Sequence, residues 1–200
     1  MKLRQLEMQL QKIRGFSCPS VDVEQYMTPA PLAARMIFHA AMNGDIVGAH
    51  VCDLGCGTGM LSIGAALLGA KVTAVDVDPT ALAIARENAE LFGCDITLIE
   101  ACIGDVNLDI TTDTVVMNPP FGAQKEHADR PFIDASLAIA PICYAILNAG
   151  SISFVAAYTK DRANIVESIS AKLNIPKQFT FHTKESLDIS VEIVHLERTL

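Results

Sequence analysis

Two short stretches of this chain carry residue types spaced for chemistry. Asn118-Pro119-Pro120-Phe121 follows the buried-strand run Thr114-Val115-Val116-Met117. A strand ending this way sets a side-chain amide, a fixed backbone carbonyl and a flat ring around one point. Proline fixes φ and removes backbone donors, so the carbonyl acceptors there meet no competing local hydrogen bond. Such a point suits a planar exocyclic amine while a methyl group is delivered to it. Taken alone, the tetrapeptide also admits the lesser reading of a proline turn closing a strand.

The second stretch, Asp53-Leu54-Gly55-Cys56-Gly57-Thr58-Gly59, decides between these readings. Glycines admit positive φ and close approach of backbone to a ligand. Dinucleotide-binding loops need G-x-G-x-x-G to cradle a pyrophosphate at a helix N-terminus. Here the pattern is D-x-G-x-G-x-G, and the leading Asp53 repels phosphate while favouring an ammonium group. S-adenosylmethionine fits, having an amino acid end and a sulfonium but no phosphate. Asp76, with Val77 after it, stands at the next strand end, where a carboxylate takes both ribose hydroxyls. Asp78 reads instead as a helix cap.

Alternating strands and helices must position these loops. Leu3, Leu6, Leu10 and Ile13 recur at helical spacing. Pro29 and Pro31 open a helix that stops at Asn43-Gly44. Strands are expected at 51–54, 71–75, 95–99 and 114–117. Helices are expected from Met60 to Leu68 and, behind the Asp78 cap with Pro79 at the first helical position, to Phe92. Further on, the pattern predicts a helix over 131–147, a strand over 152–157, a helix over 161–173 and an antiparallel pair formed by 178–182 and 189–196. The expected fold is α/β and Rossmann-like: a doubly wound, mostly parallel seven-stranded sheet with an antiparallel C-terminal strand. Residues 1–45 read as an N-terminal helical extension and lid, and 46–200 as one compact catalytic domain.

Half of the residues are hydrophobic, as in a globular protein. No apolar run approaches the ~20 residues of a membrane span, and Met1 to Glu7 lacks a signal-peptide core, so a cytoplasmic protein is expected. The six cysteines form no C-x-x-C pair, which indicates neither zinc nor a disulfide framework. His39, His50 and His195 read as structural. A net charge of −8 is unfavourable for a nucleic-acid binder. Basic residues do gather in the first fourteen positions and at Lys172, Lys177 and Lys184. Lys125, His127 and Asp129, after Phe121, read as solvated loop residues, and His182 and Lys184 as candidates for phosphate contact.

On these motifs the sequence resembles the class I S-adenosylmethionine-dependent methyltransferases that act on amines. Within them it is similar to the archaeal and eukaryotic enzymes forming N6-methyladenosine in small-subunit ribosomal RNA. The narrower likeness rests on Glu24-Gln25-Tyr26-Met27-Thr28-Pro29 and on Phe181-His182-x-Lys184-x-Ser186-x-Asp188-Ile189, besides the two central motifs. The resemblance implies that Gln25 and Thr28 close over the cofactor, Gly55 meets its methionine part and Asp76 its ribose. It implies that Asn118 and the Pro119 carbonyl hold the target amine while Phe121 stacks on a base flipped out of its stack. It also favours Asp129 lying near the substrate. One departure stands out: the family usually has an acid after the third strand to bind the cofactor adenine, and the corresponding position here is Cys102. Either Asp105 substitutes, or backbone near Ile103 reads the adenine. The resemblance further implies a small zinc-containing activator protein that adds to an edge of the sheet.

Three rivals share these motifs. Protein glutamine N5-methyltransferases commonly have Tyr at the Phe121 position and a separate N-terminal domain, for which the stretch before Asp53 is too short. DNA N6-adenine methyltransferases often add a target-recognition region, for which the segments after Phe121 leave little room. A cofactor-binding scaffold would be marked by loss of the Asn-Pro-Pro-aromatic motif, which is intact.

Overall fold

Apolar β-branched runs flanked by turn residues form the centre of a seven-stranded sheet. The computed structural model describes residues 1–16, 25–104, 109–121, 127–176 and 186–199. In chain order the elements are α1 (Leu3–Leu10), α2 (Ala30–Asn43), β1 (His50–Leu54), α3 (Met60–Leu67), β2 (Lys71–Asp76), α4 (Pro79–Phe92), β3 (Ile96–Glu100), β4 (Thr114–Met117), α5 (Arg130–Ile139), β5 (Ile142–Asn148), α6 (Ile152–Tyr158), β6 (Ala163–Pro176) and β7 (Ser186–Arg198). The strand order is β3-β2-β1-β4-β5-β7-β6. β1, β2, β3, β4 and β5 pair in parallel, and β7 is antiparallel to both of its neighbours. This is the expected doubly wound sheet, with the order reversing between β1 and β4, where ligands of such folds collect.

Alternating side chains along each strand feed two cores. Val51, Val116, Tyr144, Ile146 and Ile193 join α1, α2 and α3 on one face. Cys52, Leu54, Val115, Met117, Ala145 and Val194 join α5 and α6 on the other. Leu6 and Leu10 of α1 are fully buried in the first core, each burial contributing about 1.5–3 kcal/mol. The N-terminal segment is pinned again by Asn88 of α4. The Asn88 amide donates to the carbonyls of Arg14 and Thr58 (3.0 and 2.9 Å) and accepts from the Arg14 amide (3.0 Å).

Three expectations in the second half of the chain are corrected. The run over 131–147 is not one helix: α5 ends at Ile139 and β5 occupies 142–148. Ala140 is extended (φ −139°, ψ 150°), as a residue before proline tends to be, and Pro141 cannot continue a helix. The stretch 152–157 is the helix α6 rather than a strand. The stretch 161–173 lies largely in the strand β6 rather than a helix. Ile165, Ile169 and Leu173 recur every fourth residue, a spacing compatible with one face of a helix or of a strand. Pairing with β7 selects the strand, with a bulge between Ile165 and Glu167. The expected partner strand at 178–182 lies outside the described residues. Residues 189–196 do form part of β7.

Candidate active site

The loops at the C-terminal ends of β1, β2, β3 and β4 enclose a cavity of about 330 Å³. Its floor is the turn after β1. Gly55 and Cys56 donate their amides to the Val75 carbonyl (2.8 and 3.0 Å), which ties this turn to the end of β2. Gly55 has φ +73°, and a Cβ there would sit 2.9 Å from the Phe132 ring of α5. Gly57 has φ +53° and lies beneath Phe16, whose ring a Cβ would meet at 3.0 Å. Both positions need glycine for backbone conformation and for close approach. Gly59 is the left-handed residue before α3 and does not line the cavity.

Two carboxylates face this space. Asp53 is almost fully buried, and one of its oxygens accepts from the Ser62 amide (2.9 Å) and hydroxyl. Its other oxygen, Oδ1, has no hydrogen-bond partner among the described residues. Burial pushes the Asp53 carboxyl up to about 7, against hydrogen bonds from Ser62 that pull it down, with the Asp76 charge adding to the rise. Asp76 accepts from the Gly57 amide (2.7 Å) and the Asp78 amide (3.0 Å), and burial raises its carboxyl too. Asp78 caps α4 through the Thr80 amide (2.8 Å) and accepts from Gln25 Nε2 at 2.6 Å. Burial lifts Asp78, but hydrogen bonds from Gln25 and Thr80 outweigh it and hold this carboxyl below its ordinary range. Cys102, Ala101, Ile103 and Val77 line the end of the cavity beyond β2 and β3, and the Ala101 amide is fixed to the Asp76 carbonyl (2.9 Å).

At the other end stands Asn118. Its Nδ2 donates to the Thr28 hydroxyl at 2.8 Å, and its buried Oδ1 has no hydrogen-bond partner among the described residues. Thr28 therefore fixes the amide plane and leaves a buried acceptor in the cavity wall. Pro120 lines the cavity and Pro119 is buried behind it. The Phe121 ring stacks on Tyr26 (5.4 Å between centroids, 27° between planes), and its carbonyl accepts from Asn148 (3.2 Å).

Among the sequence-derived candidates, Gln25, Thr28, Asp53, Gly55, Gly57, Asp76, Val77, Cys102, Asn118 and Pro120 meet around one cavity. Gly59, Pro119 and Phe121 support it from behind or beside. Glu24, Asp105, Lys125, Lys177, His182 and Lys184 lie outside the described residues. Phe16, Asn88 and Phe132 were not anticipated. Asn88 sits inside an ordinary helical pattern, and Phe16 and Phe132 lie outside the motifs and meet Gly57 and Gly55 only through the fold. No cluster of metal-ligating side chains occurs among the described residues.

The lining supplies two carboxylates, an orphaned carboxylate oxygen, an orphaned amide oxygen and, among the described residues, no Lys or Arg. That donor set fits a cationic, hydroxyl-bearing ligand and disfavours a pyrophosphate. Fold and cavity together define a Rossmann-like methyltransferase. Residues 33–177 match the family model described as Methyltransferase small domain, and the chain belongs to that family. It is 34% identical to the Danio rerio rRNA N(6)-adenosine-methyltransferase METTL5 over the whole of both chains. It is 37% identical to an uncharacterized protein of Methanocaldococcus jannaschii, covering 98% of this chain and 94% of the relative. The crystal structure of a candidate RNA methyltransferase from Pyrococcus horikoshii superposes with a TM-score of 0.93 at 36% identity, covering 100% of this chain and 99% of that one. Among the described residues, no helix is long and apolar enough to cross a membrane.

Proposed function

We propose that this protein transfers a methyl group from S-adenosylmethionine to the N6 amine of an adenosine in structured RNA, with small-subunit ribosomal RNA in the cytoplasm as the substrate. The observation that carries this reading is the buried Oδ1 of Asn118, without a hydrogen-bond partner among the described residues and held in place by Thr28. The full-length likeness to rRNA N6-adenosine methyltransferases supports the choice of base.

The cofactor would be held by Asp53 at its ammonium group, by Asp76 at its ribose and by the backbone of Gly55 and Gly57, with Cys102 and Ile103 at its adenine. Gln25, Phe16 and the N-terminal arm close over it as a lid. When bound, the cofactor supplies an electrophilic methyl group. The adenine N6 amine is a weak nucleophile because its lone pair is delocalised into the ring. Asn118 Oδ1 and the Pro119 carbonyl accept its two hydrogens, favour a pyramidal nitrogen and stabilise the positive charge that develops there. Positioning supplies much of the remaining acceleration. No strong base is required, because the product ammonium loses its proton easily. Phe121, backed by Tyr26, stacks on the extruded base, a contact worth roughly 1–3 kcal/mol.

A small zinc-containing protein adding a strand to one of the two open edges, β3 or β6, would serve as activator. The test is incubation of the purified protein with methyl-labelled cofactor and, separately, small-subunit rRNA, large-subunit rRNA, DNA and a release-factor-like protein. Label recovered as N6-methyladenosine from small-subunit rRNA alone is the expected result. Label on protein glutamine would overturn the substrate class. Activity that appears only when the activator is added would establish the partner.

A further inference from the structure

A ladder of flat groups runs from the cavity mouth along α6, with Phe154 and Tyr158 half-buried against the core that α5 and α6 share. His127, which lines the cavity, adopts φ +64°, a left-handed conformation for which His is enriched among non-glycine residues. Its ring stacks on Phe154 (6.3 Å, 14°), and Phe154 stacks on Tyr158 one helical turn along α6 (5.5 Å, 21°). The Arg130 guanidinium lies over both rings, 5.0 Å from Phe154 and 5.4 Å from Tyr158. Arg162 lies over Tyr158 at 5.0 Å. The outer end is locked by Asp134, which accepts from the Tyr158 hydroxyl and from Arg162, both at 2.7 Å. Arg130 forms no ion pair among the described residues, so its charge is committed to ring faces.

A chain of net charge −8 is poorly supplied for phosphate neutralisation of RNA. Stacking does not need it, since every base has a π-face, and bases stack on aromatic rings and on Arg guanidinium planes alike. We propose that the ladder from His127 through Phe154 to Tyr158, with Arg130 and Arg162 laid on it, is the track on which unpaired nucleotides at one side of the target adenosine stack. This rests on the RNA reading above and adds to it a subsite outside the cavity. An adenosine entering the cavity past His127 leaves its neighbour at the first rung. Specificity would then come from single-stranded context beside the target rather than from base-edge hydrogen bonds. An acidic peptide is the other occupant that the two arginines would admit, and the continuity with the cavity mouth favours RNA.

The experiment compares wild type with the Phe154→Leu/Tyr158→Leu double variant, which keeps apolar volume and removes π-faces, and with Arg130→Gln. Binding of a fluorescein-labelled single-stranded RNA carrying one adenosine is followed by anisotropy, and methyl transfer to rRNA by label. The expected result is an RNA Kd and KM raised about tenfold in the double variant and severalfold in Arg130→Gln. Cofactor Kd without RNA stays unchanged, and the wild-type-to-variant ratio holds as salt is raised. Unchanged RNA Kd and KM in a folded double variant, with methylation intact, would overturn the ladder and leave the RNA reading standing. Loss of RNA binding and of N6-methyladenosine by the wild type itself would overturn both. If the double variant fails to fold, Arg130→Gln decides alone. Displacement of RNA by a polyglutamate peptide, with variant KM values unchanged, would reassign the track to a protein partner and overturn the proposal.

Discussion

The two ends of the cavity are built by different means. At the Asp53–Asp76 end, the groups that fix the site are mostly backbone. Amides of Gly57, Asp78 and Ser62 hold the carboxylates, and turns locked to Val75 and Asp76 carry them. At the Asn118 end one side chain holds another: Thr28 orients the amide, and Tyr26 supports Phe121. Backbone-built geometry changes little with single substitutions except where a glycine is replaced. Side-chain-built geometry can be dismantled one atom at a time without disturbing the far end. The comparison teaches that cofactor affinity and turnover should separate cleanly by mutation.

The largest expected separation is Asn118→Ala. Turnover should fall at least a hundredfold (about 2.7 kcal/mol of transition-state stabilisation or more), with cofactor Kd by calorimetry within about twofold of wild type. Equal losses in both would erase the distinction between the ends. Gly55→Ala should do the opposite. It forces a side chain into φ +73° and against Phe132, costing about 1–2 kcal/mol in the left-handed conformation alone. Cofactor Kd should rise tenfold or more and the melting temperature should drop. Asp76→Ala should weaken cofactor binding about tenfold while turnover at saturation persists, and equal affinity by calorimetry would remove its ribose role. Thr28→Val should lower kcat by roughly two- to tenfold, the range of one lost hydrogen bond of ~0.5–1.5 kcal/mol, and leave cofactor Kd alone. A rise in cofactor Kd instead would move Thr28 to the other end of the cavity.

The smallest effect is a pH dependence. The folded Asp53 carboxyl titrates near 7, against an ordinary value of 3.8. Its protonated form therefore favours folding, fully so below about pH 4 and not at all above about pH 7. The ligand-free protein should lose melting temperature between about pH 4 and pH 7, by several degrees at the usual ~2–4 °C per kcal/mol for this size. Asp53→Asn should flatten that slope. Cofactor affinity should move the other way and strengthen as the carboxylate ionises. A melting curve indifferent to pH in both proteins would show that Asp53 is solvated.

The first half of the chain was legible because its signals are local. Asp78-Pro79 announces a cap, Gly44 a stop, and the glycine loop a strand-to-helix turn. Past Phe121 the signals become ambiguous. Ile165, Ile169 and Leu173 suit two periodicities, and only their pairing with β7 resolves them. Pro141 was the one local sign that 131–147 could not be a single helix. In the site, residue types at motif positions were readable, but contacts across the chain were not. The Thr28–Asn118 bond joins residues ninety positions apart, and Asn88, Phe16 and Phe132 reach the loop only through the fold.

The placement of β7 has a consequence for the order in which the molecule can be completed during synthesis. β7 lies between β5 and β6, and β6 touches the sheet through no other strand. A nascent chain whose emerged part ends before Ser186 holds every cavity-lining residue yet has β6 with nothing to pair against and β5 as a bare edge. The sheet thus closes with the last of its strands in chain order, and strand insertion between two existing neighbours is a non-local, slow event.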